Sequence, residues 1–437
     1  MSSIVIFLIT LQRYNYFFKY TNNKYLKKLI LIFIIKKNKN IMLKQIRVAV
    51  IGMPDSGKST FIKKILENVI GKTISIDTLM KEVHWSDGRD PYGNPDTRTI
   101  KCAKIFFKYG DYEYCFYDCP GHIEYDNQIT QGLNDAHFII KIIDNKRLDN
   151  SHLYFSHSLF DNIQKPHLTI FSHSTKNEFP YYDVENDNFS SIAQYILNII
   201  YEACHTKAID IEEEAKTLIK QHINPLKNNA MFFSGGKDSL VGIDLLKKCD
   251  LLKYVKVYFP SSHYDFQEVI DIIKQYEELY CEITSFCNNG GKTYETNSSF
   301  EMLQEKANAN NILIKEKEID LVCVQFRGSD EGVRSKDYHI SDKDNHQRFS
   351  PVFYFSETNI WRYIRKYNLP YCTLYNKGYR SLGDYPITKP CMPICNNVTD
   401  IINYIDNHPN TNERDGRVSQ DKSTSFAMEK LRDKGFF

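Results

Sequence analysis

Two short glycine-bearing loops, each set between a hydrophobic run and an amphipathic one, constrain this 437-residue chain more than any other feature. The first, Gly52-Met-Pro-Asp-Ser-Gly-Lys-Ser59, follows the strand-like run Ile46–Ile51. It opens a helical pattern over Thr60–Ile70, with Phe61, Ile62, Ile65, Leu66 and Val69 on one face. The second, Ser234-Gly-Gly-Lys-Asp-Ser239, joins the strand candidate Asn229–Phe233 to the amphipathic helix Leu240–Cys249. A strand that turns sharply into a helix is the repeating unit of parallel α/β sheets. The N–H groups at the start of such a helix lack partners within it and carry positive potential, so each loop is a seat for a phosphate-like anion. The chain therefore reads as two doubly wound α/β units, each built around an anion cradle.

The first loop fits G-x-x-x-x-G-K-[ST], with Gly52, Asp55, Ser56, Gly57, Lys58, Ser59 and Thr60 as nucleotide-binding candidates. In this motif the backbone cradles phosphates, the lysine reaches the β/γ-phosphates and the hydroxyl ligates Mg²⁺. A later strand, Tyr112–Tyr117, ends in Asp118-Cys-Pro-Gly-His122. This segment resembles the switch of translational GTPases such as elongation factor Tu, and that of the GTPase subunit of bacterial ATP sulfurylase. The resemblance implies that Asp118 holds Mg²⁺ through water, that the Gly121 N–H meets the γ-phosphate and that His122 positions the attacking water. Thr99, nineteen residues before Asp118, stands at the family's spacing for a second Mg²⁺ ligand. The base-reading element departs from the family. Where Asn-Lys-x-Asp is expected, after His167–Phe171, the chain has Ser172-His-Ser-Thr175, with no carboxylate to accept from guanine. Asn145-Lys-Arg-Leu-Asp149 comes one strand too early with one residue too many and is read as coincidence. Loss of a two-pronged acceptor removes discrimination for guanine, so GTP or another nucleoside triphosphate is expected at the first unit, either with relaxed specificity or in a regulatory role. The β-barrel domains that follow the GTPase in both comparison families are missing.

Ser-Gly-Gly-x-Asp-Ser after a strand is the pyrophosphate loop of the ATP α-hydrolases, which break ATP between its α- and β-phosphates. The resemblance makes Ser234, Gly235, Gly236, Lys237, Asp238 and Ser239 the expected binding residues here, with Asp238 also a catalytic candidate. The strand Asp320–Phe326 runs into Arg327-Gly-Ser-Asp-Glu-Gly-Val-Arg334, at the sheet end where α/β proteins bind ligands. Arg327 and Arg334 could together neutralise an oxyanion and the phosphates. This segment resembles the small subunit of bacterial ATP sulfurylase and its relatives, the phosphoadenylyl-sulfate reductases. The resemblance continues through Ser350–Ile364, Asn368-Leu-Pro-Tyr and Tyr379-Arg-Ser-Leu-Gly. The last residues, Asn412-Glu-Arg-Asp-Gly-Arg417, Asp421 and Met428…Phe437, are similar to the sulfurylase tail. The reductases instead carry a Glu-Cys-Gly-x-His segment. His263-Tyr-Asp265 and the shorter span before Tyr379 depart from the sulfurylase. Cys391 and Cys395 form a C-x₃-C pair without a second pair, and so read as ordinary thiols rather than a zinc site.

Charge sharpens the division of the chain. Residues 1–41 hold eight Lys/Arg and no Asp or Glu; +8 there, against +2 for the whole chain, leaves −6 for the remainder. A mildly acidic body argues against a nucleic-acid footprint. The apolar runs Ile4–Thr10 and Leu29–Ile35 are too short to span a bilayer, so no membrane partner is expected. Residues 1–41 read as a basic leader outside the fold, residues 42–205 as a P-loop GTPase-like domain and 206–437 as an adenine nucleotide α-hydrolase-like domain. Eleven scattered cysteines suit a reducing cytoplasm. The resemblance implies sulfate adenylyltransferase chemistry, with sulfate and ATP as substrates, Arg417 assisting Arg327 and Arg334, and GTP hydrolysis coupled to it. A homo-oligomer or a sulfurylase partner subunit fits the same reading. The rivals are a reductase or sulfur-transfer enzyme of the same superfamily, and a regulatory nucleotide-binding protein.

Overall fold

The computed structural model of the chain describes residues 44–70, 102–160, 164–174, 189–262, 264–287, 299–328, 339–343, 345–408, 411 and 413–417. Residues 1–41, Thr99, Thr175, Arg334 and Asp421 lie outside these.

The first sheet has strands β1 (Lys44–Ile51), β2 (Ala103–Tyr109), β3 (Tyr112–Asp118), β4 (Phe138–Asp144) and β5 (His167–Ser172), in the order β2-β3-β1-β4-β5. All neighbours are parallel except β2, which runs antiparallel to β3. Its helices are α1 (Lys58–Ile70), α2 (Asp126–Asp135), α3 (Leu148–Phe155) and α4 (Phe189–Cys204). Period-two alternation sorts the central strand onto two faces. Ile46, Val48 and Val50 pack with Phe61, Ile65, Ile196 and Ile200 of α1 and α4. Ala49 and Ile51 pack with Ile129 and Leu133 of α2. Both faces are covered, which explains why β1 and β4 read as continuous apolar runs rather than alternating ones.

Backbone bonds between Gln45 and Ile209 lead into α5 (Ile211–His222), whose first turn is capped by the Asp210 carboxylate. The second sheet follows, with β6 (Asn229–Phe232), β7 (Val255–Ser261), β8 (Ile283–Cys287), β9 (Leu321–Cys323), β10 (Ile340–Asp342) and β11 (Gln347–Phe349), in the order β10-β11-β9-β6-β7-β8. Only β10 is antiparallel to its neighbour. Its helices are α6 (Lys237–Lys248), α7 (Gln267–Leu279), α8 (Ser299–Glu316), α9 (Glu357–Tyr367) and α10 (Val398–Asn407). The strand expected over Asp320–Phe326 stops at Cys323. Val324 still donates to the Phe349 carbonyl (2.9 Å), but Phe326 turns toward Phe353 and its carbonyl accepts from Ser350 Oγ (2.6 Å). The chain thus makes its last sheet bond at Val324, three residues before Arg327. In each sheet the glycine loop follows the strand where the order reverses, β1 in the first and β6 in the second, which is the crevice of a doubly wound fold.

A buried polar seam joins the halves. Gln45, Arg47 and Glu113 share the sheet face of Ala49 and Ile51, yet all three are buried. Glu113 accepts from Gln45 Nε2 (2.8 Å), from Asn359 Nδ2 (3.0 Å) and from the Ser356 hydroxyl, which also caps α9. Arg47 makes a two-pronged bond to Glu214 of α5 (2.9 and 2.5 Å), and its guanidinium lies 3.9 Å over the Tyr354 ring. Burial pushes the Glu113 carboxyl above its ordinary range, against the three donors that favour its charged form.

Candidate functional site

The first site is assembled by the ends of β1, β3, β4 and β5. The loop after β1 turns through two positive-φ residues, Asp55 (φ 57°) and Gly57 (φ 89°), before Lys58 opens α1. Lys58 is buried, and its ammonium donates to the carbonyls of Gly52 and Met53, both at 2.9 Å. Burial pulls its pKa down, with Asp118 opposing. Ser59 Oγ donates to Asp118 Oδ2 at 2.7 Å, which places a hydroxyl and a fully buried carboxylate side by side. Gly121 presses against the loop: a Cβ there would sit 2.6 Å from Pro54 N and 2.8 Å from Lys58 Nζ. Only glycine permits that approach. His122 starts a 3₁₀ turn over Ile123–Tyr125, half-buried, with its ring centroid 6.3 Å from that of Tyr125. Ser56 is buried, whereas Asp55 is exposed and Thr60 half-buried on the first turn of α1.

The segment in place of the base reader braces the loop. Ser172 Oγ donates to the Ser56 carbonyl (2.7 Å), and His173, in a left-handed conformation, places Nδ1 3.0 Å from Asp144. The stretch Asn145–Asp149, set aside on sequence as a base reader, supplies Arg147, which bonds both Asp144 (2.6 Å) and the Pro54 carbonyl (2.8 Å). Burial alone would raise the Asp144 carboxyl, but Arg147 and His173 outweigh it and hold it below the usual range.

The second site lies beyond the ends of β6 and β9. Gly235 takes φ 68°, with a built Cβ only 3.1 Å from Ile272 of α7. Ser239 Oγ donates to the Gly236 carbonyl (2.8 Å) and lies 3.4 Å from Ser234 Oγ. The Lys237 N–H donates to the Tyr375 hydroxyl (2.9 Å). Beneath the loop, Lys237 and Arg327, each about 1% exposed, converge on one carboxylate, Glu413. Lys237 Nζ reaches one carboxylate oxygen and Arg327 Nη2 the other. Arg327 Nε also lies 2.9 Å from Asp238. A second ring supports the first: Lys237 Nζ donates to the Arg380 carbonyl (3.3 Å), and Arg380 forks onto Glu357 of α9 and reaches Thr411. Burial pushes the Glu413 carboxyl up, but Arg327 and Lys237 dominate and hold it well below the carboxylate range. Lys237, despite burial, is held above its ordinary value by Asp238 and Glu413.

The structure therefore gathers Lys237, Asp238 and Arg327 as the sequence predicts, and adds Glu413, Tyr375, Arg380 and Glu357. Arg417, expected to face the transferring charge, bonds instead to the Ser381 hydroxyl (3.0 Å) and the Leu382 carbonyl, pinning the C-terminal segment to the 381–388 loop. The physical reason is steric. Gly383 leaves room for the guanidinium directly against the backbone, where any Cβ would collide with it. Cys391 and Cys395 flank a turn whose N–H groups bond the Gly378 and Asn376 carbonyls. No group of three or more His, Cys, Asp or Glu among the described residues has the arrangement of a metal site. No helix among them is long and apolar enough to cross a membrane.

Comparison with known proteins follows the same division. Residues 43–154 match the family model of the elongation factor Tu GTP binding domain, and residues 228–390 match that of the phosphoadenosine phosphosulfate reductase domain. Each glycine loop lies inside its matched segment, and the strap at 411–417 lies outside both. A probable FAD synthase of Schizosaccharomyces pombe is 28% identical over 165 residues, 37% of this chain and 60% of that one. An adenosine 5'-phosphosulfate reductase of Staphylococcus epidermidis is 24% identical over 198 residues, 42% of this chain and 81% of that one. Among solved structures, the Candida glabrata FMN adenylyltransferase in complex with ATP aligns with a TM-score of 0.35 at 22% identity, over 41% of this chain and 62% of that chain. The chain thus spans about three fifths of the first of these relatives. It joins two α/β units, one similar to a GTP binding domain and one similar to a phosphoadenosine phosphosulfate reductase domain.

Proposed function

We propose that the second unit transfers AMP from ATP to an oxyanion acceptor, sulfate in the first instance, and that the first unit is a nucleoside triphosphatase that modulates the transfer. The observation that carries this is the seat of Glu413. Glu413, in a stretch whose pattern is similar to the sulfurylase tail, delivers its carboxylate to Lys237 and Arg327 beside the pyrophosphate loop.

In this reading an acceptor oxygen attacks the α-phosphorus, the bond to the bridging oxygen of the β-phosphate breaks, and pyrophosphate leaves with that electron pair. Sulfate is a weak nucleophile, so the protein contributes position and charge neutralisation rather than a covalent intermediate. Lys237 and the loop N–H groups of Ser234–Ser239 hold the leaving pyrophosphate. Arg327 meets the charge that spreads over the transferred group, and Asp238 orients Arg327. Arg334, in the sequence motif, adds a second guanidinium. At the first unit, Ser59 and Asp118 fit Mg²⁺, since a hydroxyl and a buried carboxylate 2.7 Å apart form a hard-oxygen donor pair. Mg²⁺ there would neutralise β- and γ-phosphate oxygens of GTP or another triphosphate, with Thr99 as the further ligand, Gly121 facing the γ-phosphate and His122 holding water.

A second reading keeps the chemistry and changes the acceptor. The relative named a probable FAD synthase makes the phosphate of FMN a competing acceptor oxyanion. ATP–pyrophosphate exchange by the full chain separates the readings. Sulfate-dependent exchange supports the first, FMN-dependent exchange the second. No exchange with either acceptor defeats both and leaves the reductase or regulatory alternatives. Exchange indifferent to GTP and to other triphosphates defeats coupling.

A further inference from the structure

The cations of the second site are already saturated. Lys237 and Arg327 face two carboxylates, Asp238 and Glu413, in a pocket where neither cation is more than about 1% exposed. Among the described residues two positive charges meet two negative ones, so these four side chains balance. A polyphosphate entering this cluster would bring several negative charges into a buried, balanced group, which is strongly unfavourable unless one carboxylate withdraws. The two carboxylates differ in their attachment. Asp238 stands in the first turn of α6, whose backbone is bonded to the loop and whose helix is packed across the sheet. Glu413 sits on a short strap outside any helix or sheet, and the two side chains are about equally exposed, at 18% for Glu413 and 19% for Asp238. Bonds on both flanks hold that strap. Arg380 bonds Thr411 (2.8 Å), the Gly416 carbonyl accepts from Lys389 N–H (2.8 Å), and Arg417 grips the 381–388 loop. Its two carboxylate oxygens each take one cation, as two oxygens of a phosphoryl group would.

We infer that Glu413 is a built-in stand-in for the ligand's oxyanion: it holds the seat formed by Lys237 and Arg327 while the site is empty, and a pyrophosphate-bearing ligand binds by displacing it. This rests on the reading of the second site as a pyrophosphate seat, and it adds a residue that sets affinity and selectivity. A monoanion gains little by replacing a carboxylate already bonded to both cations. A group with two or more charges gains the difference, so the exchange favours pyrophosphate and triphosphate over monoanions.

Inorganic pyrophosphate, titrated into the full chain by calorimetry, is the probe. Removing the internal competitor in Glu413→Gln should tighten pyrophosphate binding by about tenfold or more. Weaker or unchanged binding would overturn the inference and make Glu413 a residue that positions the cations. A thermal melt shows whether the variant folds; if it does not, hydrogen exchange on the unaltered chain decides. Pyrophosphate should slow exchange at Ser234–Ser239 while accelerating it at 413–417, and slowing at both would refute displacement. Absence of binding by both proteins defeats the pyrophosphate seat and the inference together, whereas tight binding without acceptor-dependent exchange defeats only the proposed reaction.

Discussion

The two glycine loops occupy equivalent places in their sheets, yet they store their lysines differently. Lys58 rests on two carbonyls of its own loop, five and six residues away. Lys237 is bonded to a carboxylate 176 residues along the chain. Carbonyl dipoles are neutral partners, so burial dominates and the Lys58 pKa falls; the Lys237 pKa rises because charges face it. The lysine of the first loop is therefore held by its own loop, whereas that of the second is held by a distant piece of chain. A motif shows where a phosphate goes, and the partner of its lysine shows what the phosphate has to displace.

Substitutions can break that contrast, beginning with the largest effect. Arg327→Ala removes a buried guanidinium that faces two carboxylates; acceptor-dependent ATP–pyrophosphate exchange should fall by about 10²–10³-fold. A decrease of less than threefold would remove Arg327 from the site. At the seam, Glu113→Ala leaves the Gln45, Ser356 and Asn359 donors buried without their acceptor. Urea unfolding should show a loss of about 3 kcal/mol. If the halves were independent in stability, only the transition of the first would move.

Glycine substitutions sharpen the comparison. Gly121→Ala would push a methyl into Pro54 and Lys58, so triphosphate affinity at the first site should drop about tenfold or more while the fold survives. Gly236→Ala meets nothing nearer than Ser234 Oγ at 3.3 Å, and pyrophosphate affinity at the second site should change less. Fluorescent nucleotide titration and calorimetry measure the pair; equal losses would contradict the difference in packing.

The smallest effect is with pH. Glu413 has a folded-state pKa held below its ordinary value of 4.5, so its contribution to stability is fully present above that pH. It is lost only as pH falls from there through the lower, folded-state value. Between pH 8 and 5, stability should therefore show no Glu413-dependent slope, whereas below 4.5 the unaltered chain should lose stability faster than Glu413→Gln. Parallel acid curves for the two proteins would refute the ion lock.

Both loops, their strands and their helices were legible because each is local: a buried run, glycines at a turn and a 3.6-residue apolar period lie within about 25 residues. Asp118 and Arg327 were legible for a related reason, since a strand end in such a fold points at the crevice. The polar seam was not. Gln45, Arg47 and Glu113 have the spacing of a solvated strand face, and only the packing of Tyr354, Ser356 and Asn359 against them makes that face an interior. Arg417 misled because its motif was visible while the cavity above Gly383 was not.

By itself, then, the sequence determined two α/β units and the position of a glycine loop between strand and helix in each, because strand, turn and helix signals act over short range. Tertiary structure alone decided that Glu413 closes the second cradle, that Ser172 and Arg147 brace the first, and that a buried seam joins them. Those contacts pair charges and hydrogen-bonding groups up to 309 residues apart, and no local pattern encodes which distant partner will neutralise a buried charge.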